Sequence, residues 1–177
     1  ELLAAAPKLR WLQAPAAAPN GGYYFDELVA HPTTVTNFRE IYNDHISVQI
    51  LAYILNFTKH FNLYRDHQAE HRYEKLEPPH HEIFLPESTV LIVGVGGIGA
   101  ETARLCKALS MKVLGIDARR EDKPEWVDDM FGPDQLDTQL PNADFVVLTI
   151  PHTPATEGLF DSSKLELMKN SAMFINI

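Results

Sequence analysis

Cysteine occurs once in the 177 residues, at Cys106, so no internal disulfide can form and a reducing, cytoplasmic setting is expected. Basic residues are outnumbered: 15 Lys and Arg against 24 Asp and Glu leave a net charge of −9, which argues against nucleic acid or an anionic membrane surface as a partner. The eight histidines would reduce that charge at low pH. No apolar run reaches the ~18 residues of a membrane-spanning helix, and no basic-then-apolar leader opens the chain. An initiating methionine is missing before Glu1. The last apolar run, Met173-Phe-Ile-Asn-Ile177, has strand character but no turn after it, so the chain is expected to be part of a longer protein. What is present is a packed-domain composition, 45% apolar, in a length that suits one ordinary domain or two small ones.

The clearest punctuation is Glu77-Pro-Pro-His-His-Glu82, where two prolines end one pattern and an extended linker leads to another. Before it, the expected order is a helix end at 1–7, a strand at 9–13, a loop at 14–22, a helix at 23–30, a strand at 34–36 and one long helix from 43 to 73. Ile46, Ile50, Ile54, Phe57, Phe61 and Tyr64 mark that helix by their spacing of three and four. At ~1.5 Å per residue it would span on the order of 45 Å and bridge two domains or subunits. After the prolines, strands and helices alternate: strand 89–94, helix 99–109, strand 112–117, an acidic loop 120–134, strand 144–150, helix 162–169, strand 173–177. That alternation predicts an α/β fold with a doubly wound parallel sheet. The division reads as 1–76, a linker at 77–88, and 89–177.

One stretch carries chemistry. Leu91-Ile-Val-Gly-Val-Gly-Gly-Ile-Gly99 sets Gly94, Gly96 and Gly99 as G-x-G-x-x-G between a strand and a helix, and a second apolar run ends on Asp117, 18 residues after Gly99. Strand, tight turn, helix, strand and carboxylate is the order a dinucleotide site needs. Gly94 turns the chain off the strand, Gly96 lets backbone approach a pyrophosphate, and Gly99 lets the helix pack closely. Gly97 and Ile98 would offer amide donors at the helix N-terminus. Asp117 would accept hydrogen bonds from the adenosine ribose, which favours NAD, while Arg119 and Arg120 could hold the 2′-phosphate of NADP.

His60, His67 and His71 are spaced as one helix face, and His80-His81 follow. Histidines at i and i+4 can chelate zinc. However, His67-Gln-Ala-Glu-His71 is not H-E-x-x-H, and its polar neighbours point to a solvated face, so no metal is assigned.

With these parts in order, the chain resembles the D-isomer-specific 2-hydroxyacid dehydrogenases. The resemblance rests on Leu3–Gln13, on Thr36-Asn37 followed by Ile41–Ile46, on the glycine turn, on Ala143-Asp-Phe-Val-Val-Leu-Thr-Ile-Pro-His-Thr-Pro-Ala-Thr156, and on Met168–Ile177. It implies a partial flavodoxin-like substrate domain, a partial Rossmann domain binding NAD, a long helix between them, and a homodimer. It also implies an enzyme that interconverts a 2-oxo acid of the glyoxylate or hydroxypyruvate kind and a D-2-hydroxy acid. The family's catalytic Arg, Glu and His would lie beyond Ile177, the Arg two residues past it. Ile150, Pro151 and Thr156 match cofactor contacts, and Ala17 and Ala18 match the loop that holds the substrate carboxylate. The chain departs from the family at Ala18 and Pro19, at Val48-Gln49, at Gly97 and at His152. Some relatives act as nicotinamide-responsive binding proteins and corepressors, and a catalytically inactive fragment is a third reading.

Overall fold

The computed structural model describes residues 2–15, 25–75, 83–120 and 122–177. The first part is small. After α1 (Leu2–Ala5), strand β1 (Trp11–Gln13) and strand β2 (Thr34–Thr36) pair in parallel around α2 (Asp26–Val29). The pair is fastened from its side chains: Trp11 Nε1 donates to Thr36 Oγ1 at 2.8 Å, and that hydroxyl donates to Gln13 Oε1 at 2.6 Å.

The expected single helix over 43–73 is two helices. Helix α3 (Asn43–Thr58) and helix α4 (Phe61–Ala69) are separated at His60, which has φ 51° in the left-handed region. No proline or glycine forces the break. The Thr58 hydroxyl donates to the Leu55 carbonyl, which also takes the Lys59 N–H, and the His60 N–H bonds back to Phe57. Local hydroxyl bonding of this kind competes with the helical ladder. The apolar stripe divides there too. Ile50 and Ile54 are wholly buried, whereas Phe57, Phe61 and Tyr64 are exposed. Thus α3, about 24 Å long at ~1.5 Å per residue, serves the core and α4 does not continue it.

A five-stranded, all-parallel sheet follows: β3 (Thr89–Val93), β4 (Lys112–Ile116), β5 (Asp129–Phe131), β6 (Phe145–Leu148) and β7 (Met173–Asn176), in spatial order β5-β4-β3-β6-β7. Its central strands are apolar along their length because both faces are covered. Val90 and Ile92 face a layer made by α3 and α5 (Gly97–Ala108), with Ile50, Ile54, Ala103 and Cys106 as its core. Leu91 and Val93 face the other side, against Leu136, Leu140 and Ala143 from α6 (Leu136–Gln139) and the turn after it. The doubly wound sheet expected from the sequence is therefore present. Within the expected loop 120–134 lies β5, three residues whose register on Leu114–Ile116 is set from β4 and not by any run of its own. Helix α5 begins at Gly97, two to three residues before the expected start, and α7 (Ser162–Leu167) is capped by Asp161, whose side chain accepts the Lys164 N–H.

Strand order reverses at β3. The chain leaves it first toward β4 and β5, then returns to β6 and β7 on the other side. Such a reversal opens a crevice beyond the carboxyl ends of the two central strands.

Candidate functional site

The glycine turn leaves β3 directly into that crevice. Gly94 has φ +97°, a conformation that L side chains rarely adopt, and its N–H stays in the sheet by donating to Ile116 O at 2.8 Å. A β-carbon on Gly99 would strike the carbonyl oxygen of Gly94, so helix and turn touch backbone to backbone. Gly96 is the N-cap of α5, and a β-carbon there would meet nothing within 4 Å. Open space stands beside it. The amides of Gly97, Ile98 and Gly99 are the first of α5, where an α-helix has no carbonyl of its own to offer them.

A cleft of about 450 Å³ lies at this edge of the sheet. Of the residues picked out by sequence, Gly94, Gly96, Asp117, Ile150, Pro151 and Thr156 line it together. Gly97 does not line it, and the side-chain position of Gly97 faces the Asn43 carboxamide. Ile98 packs partly buried on the core. Ala17 and Ala18 lie outside the described residues.

Asp117 follows β4 and its carboxylate is engaged on both oxygens. Oδ2 accepts the Val95 N–H at 2.9 Å, and Oδ1 accepts the N–H groups of Arg119 at 2.8 Å and Arg120 at 3.0 Å. A carboxylate has about four lone-pair positions, so three accepted bonds leave about one for a ligand hydroxyl. The two arginines differ. Arg119 is exposed and lines the cleft. Arg120 turns away from it: Nη1 donates to the Val95 carbonyl at 2.8 Å, and Nε and Nη2 donate to the Asp122 carboxylate at 3.0 Å each. The sequence did not separate them.

Strand β6 ends at Leu148, so Ile150 and Pro151 stand just past the strand they were expected to finish. Thr156 lines the cleft, but its hydroxyl is also spent within its own loop, donating to Pro151 O at 2.7 Å and accepting the Thr153 N–H at 2.8 Å. Two residues of the site were missed. Thr149 Oγ1 donates to Gly94 O at 2.6 Å, tying the end of β6 to the glycine turn, and a lone hydroxyl closing the apolar run Phe145–Leu148 was the available signal. Asn43 had none, because the contact depends on α3 crossing α5. His152 lines a neighbouring cavity of about 300 Å³ together with Asn176 and Ile177.

The histidine spacing resolves differently from expectation. His67 is not on a solvated face: it is 7% exposed, edge-on to Tyr64, with Nδ1 lacking a hydrogen-bond partner. His71 falls beyond α4, at φ 54°. Among the described residues, no three His, Cys, Asp or Glu side chains gather as metal ligands.

An open turn at a helix N-terminus, an acid after the second strand and a cleft at the strand reversal fit a dinucleotide. Comparison with known proteins points the same way. A sequence profile described as "D-isomer specific 2-hydroxyacid dehydrogenase, NAD binding domain" matches residues 51–177. The D-lactate dehydrogenase of Streptococcus pyogenes serotype M1 is 26% identical over 155 residues, which is 88% of this chain and 46% of that protein. A D-isomer specific 2-hydroxyacid dehydrogenase family protein from Aeromonas salmonicida has a solved structure that superposes with a TM-score of 0.88 at 29% identity, covering 99% of this chain and 54% of that one. The NADPH-dependent glyoxylate/hydroxypyruvate reductase of Sinorhizobium meliloti, solved with NADP and sulfate, superposes with a TM-score of 0.83. At 23% identity, over 99% of this chain and 55% of the other, that likeness shows the fold. The chain thus spans about half the length of the relatives it matches.

Proposed function

The chain belongs to the D-isomer specific 2-hydroxyacid dehydrogenase family and carries its NAD-binding domain, and from that membership we propose that the full-length protein is an NAD(P)-dependent oxidoreductase interconverting a 2-oxo acid and a D-2-hydroxy acid. The observation that supports this most is the meeting of Gly94, Gly96, Asp117, Ile150 and Pro151 on one cleft at the strand reversal. When bound, the nicotinamide supplies or accepts the hydride. The chain's own residues bind and orient. The first amides of α5, those of Gly97 and Ile98, hold the pyrophosphate with the helix dipole behind them. The remaining acceptor position of Asp117 takes a ribose hydroxyl, and Ile150 and Pro151 wall the cleft against water. The Asp117 carboxylate makes NAD the principal cofactor, and Arg119, the cation lining the cleft, admits NADP.

The substrate is a small 2-oxo acid of the glyoxylate or hydroxypyruvate kind that the family resemblance implies, and a small 2-hydroxy acid is also what the name of the Streptococcus relative, a D-lactate dehydrogenase, carries. Ala17 and Ala18 would present backbone amides to its carboxylate. No residue of the 177 is assigned a catalytic role; by the family resemblance a His oriented by a Glu would transfer the proton and an Arg would pair with the substrate carboxylate, all three past Ile177. Exposed Tyr53 and Phe57, one turn apart on α3, would give a homodimer apolar surface to bury. A single, buried thiol suits the cytoplasm.

The test is to supply the full-length protein with NADH or NADPH and a panel of 2-oxo acids and to follow loss of absorbance. Turnover with at least one is expected. Binding of NADH without any turnover would instead favour the cofactor-sensing, corepressor-type reading. Asp117→Ala is expected to weaken NADH binding, and unchanged affinity would sink the ribose assignment.

A further inference from the structure

The structure assigns Arg120 a positioning role: it is a clamp on the glycine turn, and is not a ligand of the cofactor's 2′-phosphate. The proposal rests on the cofactor reading above. Val95, between Gly94 and Gly96, is held at three points. Its side chain is buried in the core at 1% exposure. Its N–H donates to Asp117 Oδ2 at 2.9 Å and its carbonyl accepts from Arg120 Nη1 at 2.8 Å. Both backbone groups of the residue at the centre of the turn are therefore fixed from one segment, 117–120, which follows β4.

The geometry removes Arg120 from the 2′-phosphate by occupation. Three of its guanidinium nitrogens are in use: one on Val95 O and two forked onto the Asp122 carboxylate. Asp122 is the aiming group, since a bidentate carboxylate fixes the plane of a guanidinium as well as its position. To reach a phosphate, Arg120 would have to break a charge-assisted bond to the turn that forms the phosphate site. Arg119, next in chain but pointing to the cleft, carries no such cost.

The role makes a separable forecast. A clamp on the turn acts on the pyrophosphate common to NAD and NADP, so its loss lowers affinity for both by the same factor. A 2′-phosphate ligand acts on NADP alone. Dissociation constants for NADH and NADPH are measured on the full-length protein by nucleotide fluorescence, with thermal melting as a check on folding. Arg120→Gln is expected to weaken both about tenfold, the size of one lost charge-assisted hydrogen bond, with the NADH-to-NADPH ratio unchanged. Arg120→Lys, which keeps one cationic donor for Val95 O, recovers most of the loss. Asp122→Asn, which leaves the turn and Arg120 in place but releases the aim, gives a smaller loss that is again equal for the two nucleotides. Arg119→Gln changes the ratio. Unchanged affinities in Arg120→Gln, a loss confined to NADPH, or a loss that Lys does not rescue would each overturn the clamp. A wild-type protein that binds neither nucleotide would overturn the cofactor reading itself, a result distinct from any of these.

Discussion

The carboxamide of Asn43 stands where a side chain on Gly97 would have to go: a β-carbon built on Gly97 would lie 2.7 Å from Asn43 Oδ1. The first residue of α3 and the first residue of α5 are thereby matched, and a side chain on Gly97 has no room here unless Asn43 moves.

That match is measurable as a coupling. The tip of Asn43 can rotate aside, so Gly97→Ala is expected to cost little alone, roughly 1 kcal/mol or less. With Asn43→Ala already in place it costs less still. A double-mutant cycle by urea denaturation should show a coupling of at least about 0.5 kcal/mol. Strict additivity would mean the contact is slack.

Two other glycines separate stability from binding. Gly99→Ala meets backbone, the Gly94 carbonyl, which cannot swing away. Overpacking of this sort costs about 1–3 kcal/mol, so a clear fall in melting temperature is expected. Gly96→Ala meets nothing within 4 Å. Its melting temperature is expected to hold while NADH affinity falls, because the added methyl occupies space the ligand needs. The reverse pattern would displace the ligand from the turn.

Cys106 lies in α5 with its side chain sealed in the core, and burial pushes its thiol up to about 12. The thiolate is the reactive form. Thiol reagents are therefore expected to leave the native protein unlabelled at neutral pH and to label it stoichiometrically in urea. Rapid native labelling would show that the α3–α5 layer opens.

Acid tolerance has an identifiable contributor in Asp128. Burial pushes its carboxyl up, but hydrogen bonds from the Lys107 ammonium and the Val113 N–H outweigh that and hold it below the ordinary carboxylate value. A carboxyl with a lowered folded-state pKa adds stability above its unfolded value of about 3.9. That stability is lost as pH falls through the folded value. Asp128→Asn keeps an acceptor for Val113 but removes the charge. Denaturation at pH 7 and below pH ~3.9 should show a shallower loss in the variant, and equal slopes would discount the pair.

Sheet and turn were legible because they are written locally. Runs such as Val90–Val93 and Val113–Ile116 are apolar on both faces, and Gly94 and Gly99 occupy positions where backbone geometry admits little else. Features set by tertiary contact were not legible. The break at His60 has no proline or glycine to announce it, and the repeat through Phe57, Phe61 and Tyr64 runs straight across it. Strand β5 is three residues that pair only because β4 is beside them. Arg119 and Arg120 are chemically identical neighbours, and only the reach of one to Val95 O separates them. His67 reads as polar among polar neighbours, yet it is 7% exposed, with Tyr64 edge-on to it from three residues earlier in α4.

The core formed by Ile50 and Ile54 sets where this polypeptide can be cut. The proline-bearing stretch 77–82 looks like the natural place to excise a nucleotide-binding module, and the second alternating pattern begins just after it. Excision there would discard α3 and bare the patch of Val90, Ile92, Ala103 and Phe145 that it shields. An exposed apolar face of that kind invites aggregation. A module cut from this chain is therefore expected to start no later than Asn43, so α3, although it lies ahead of the prolines, travels with the sheet that follows them.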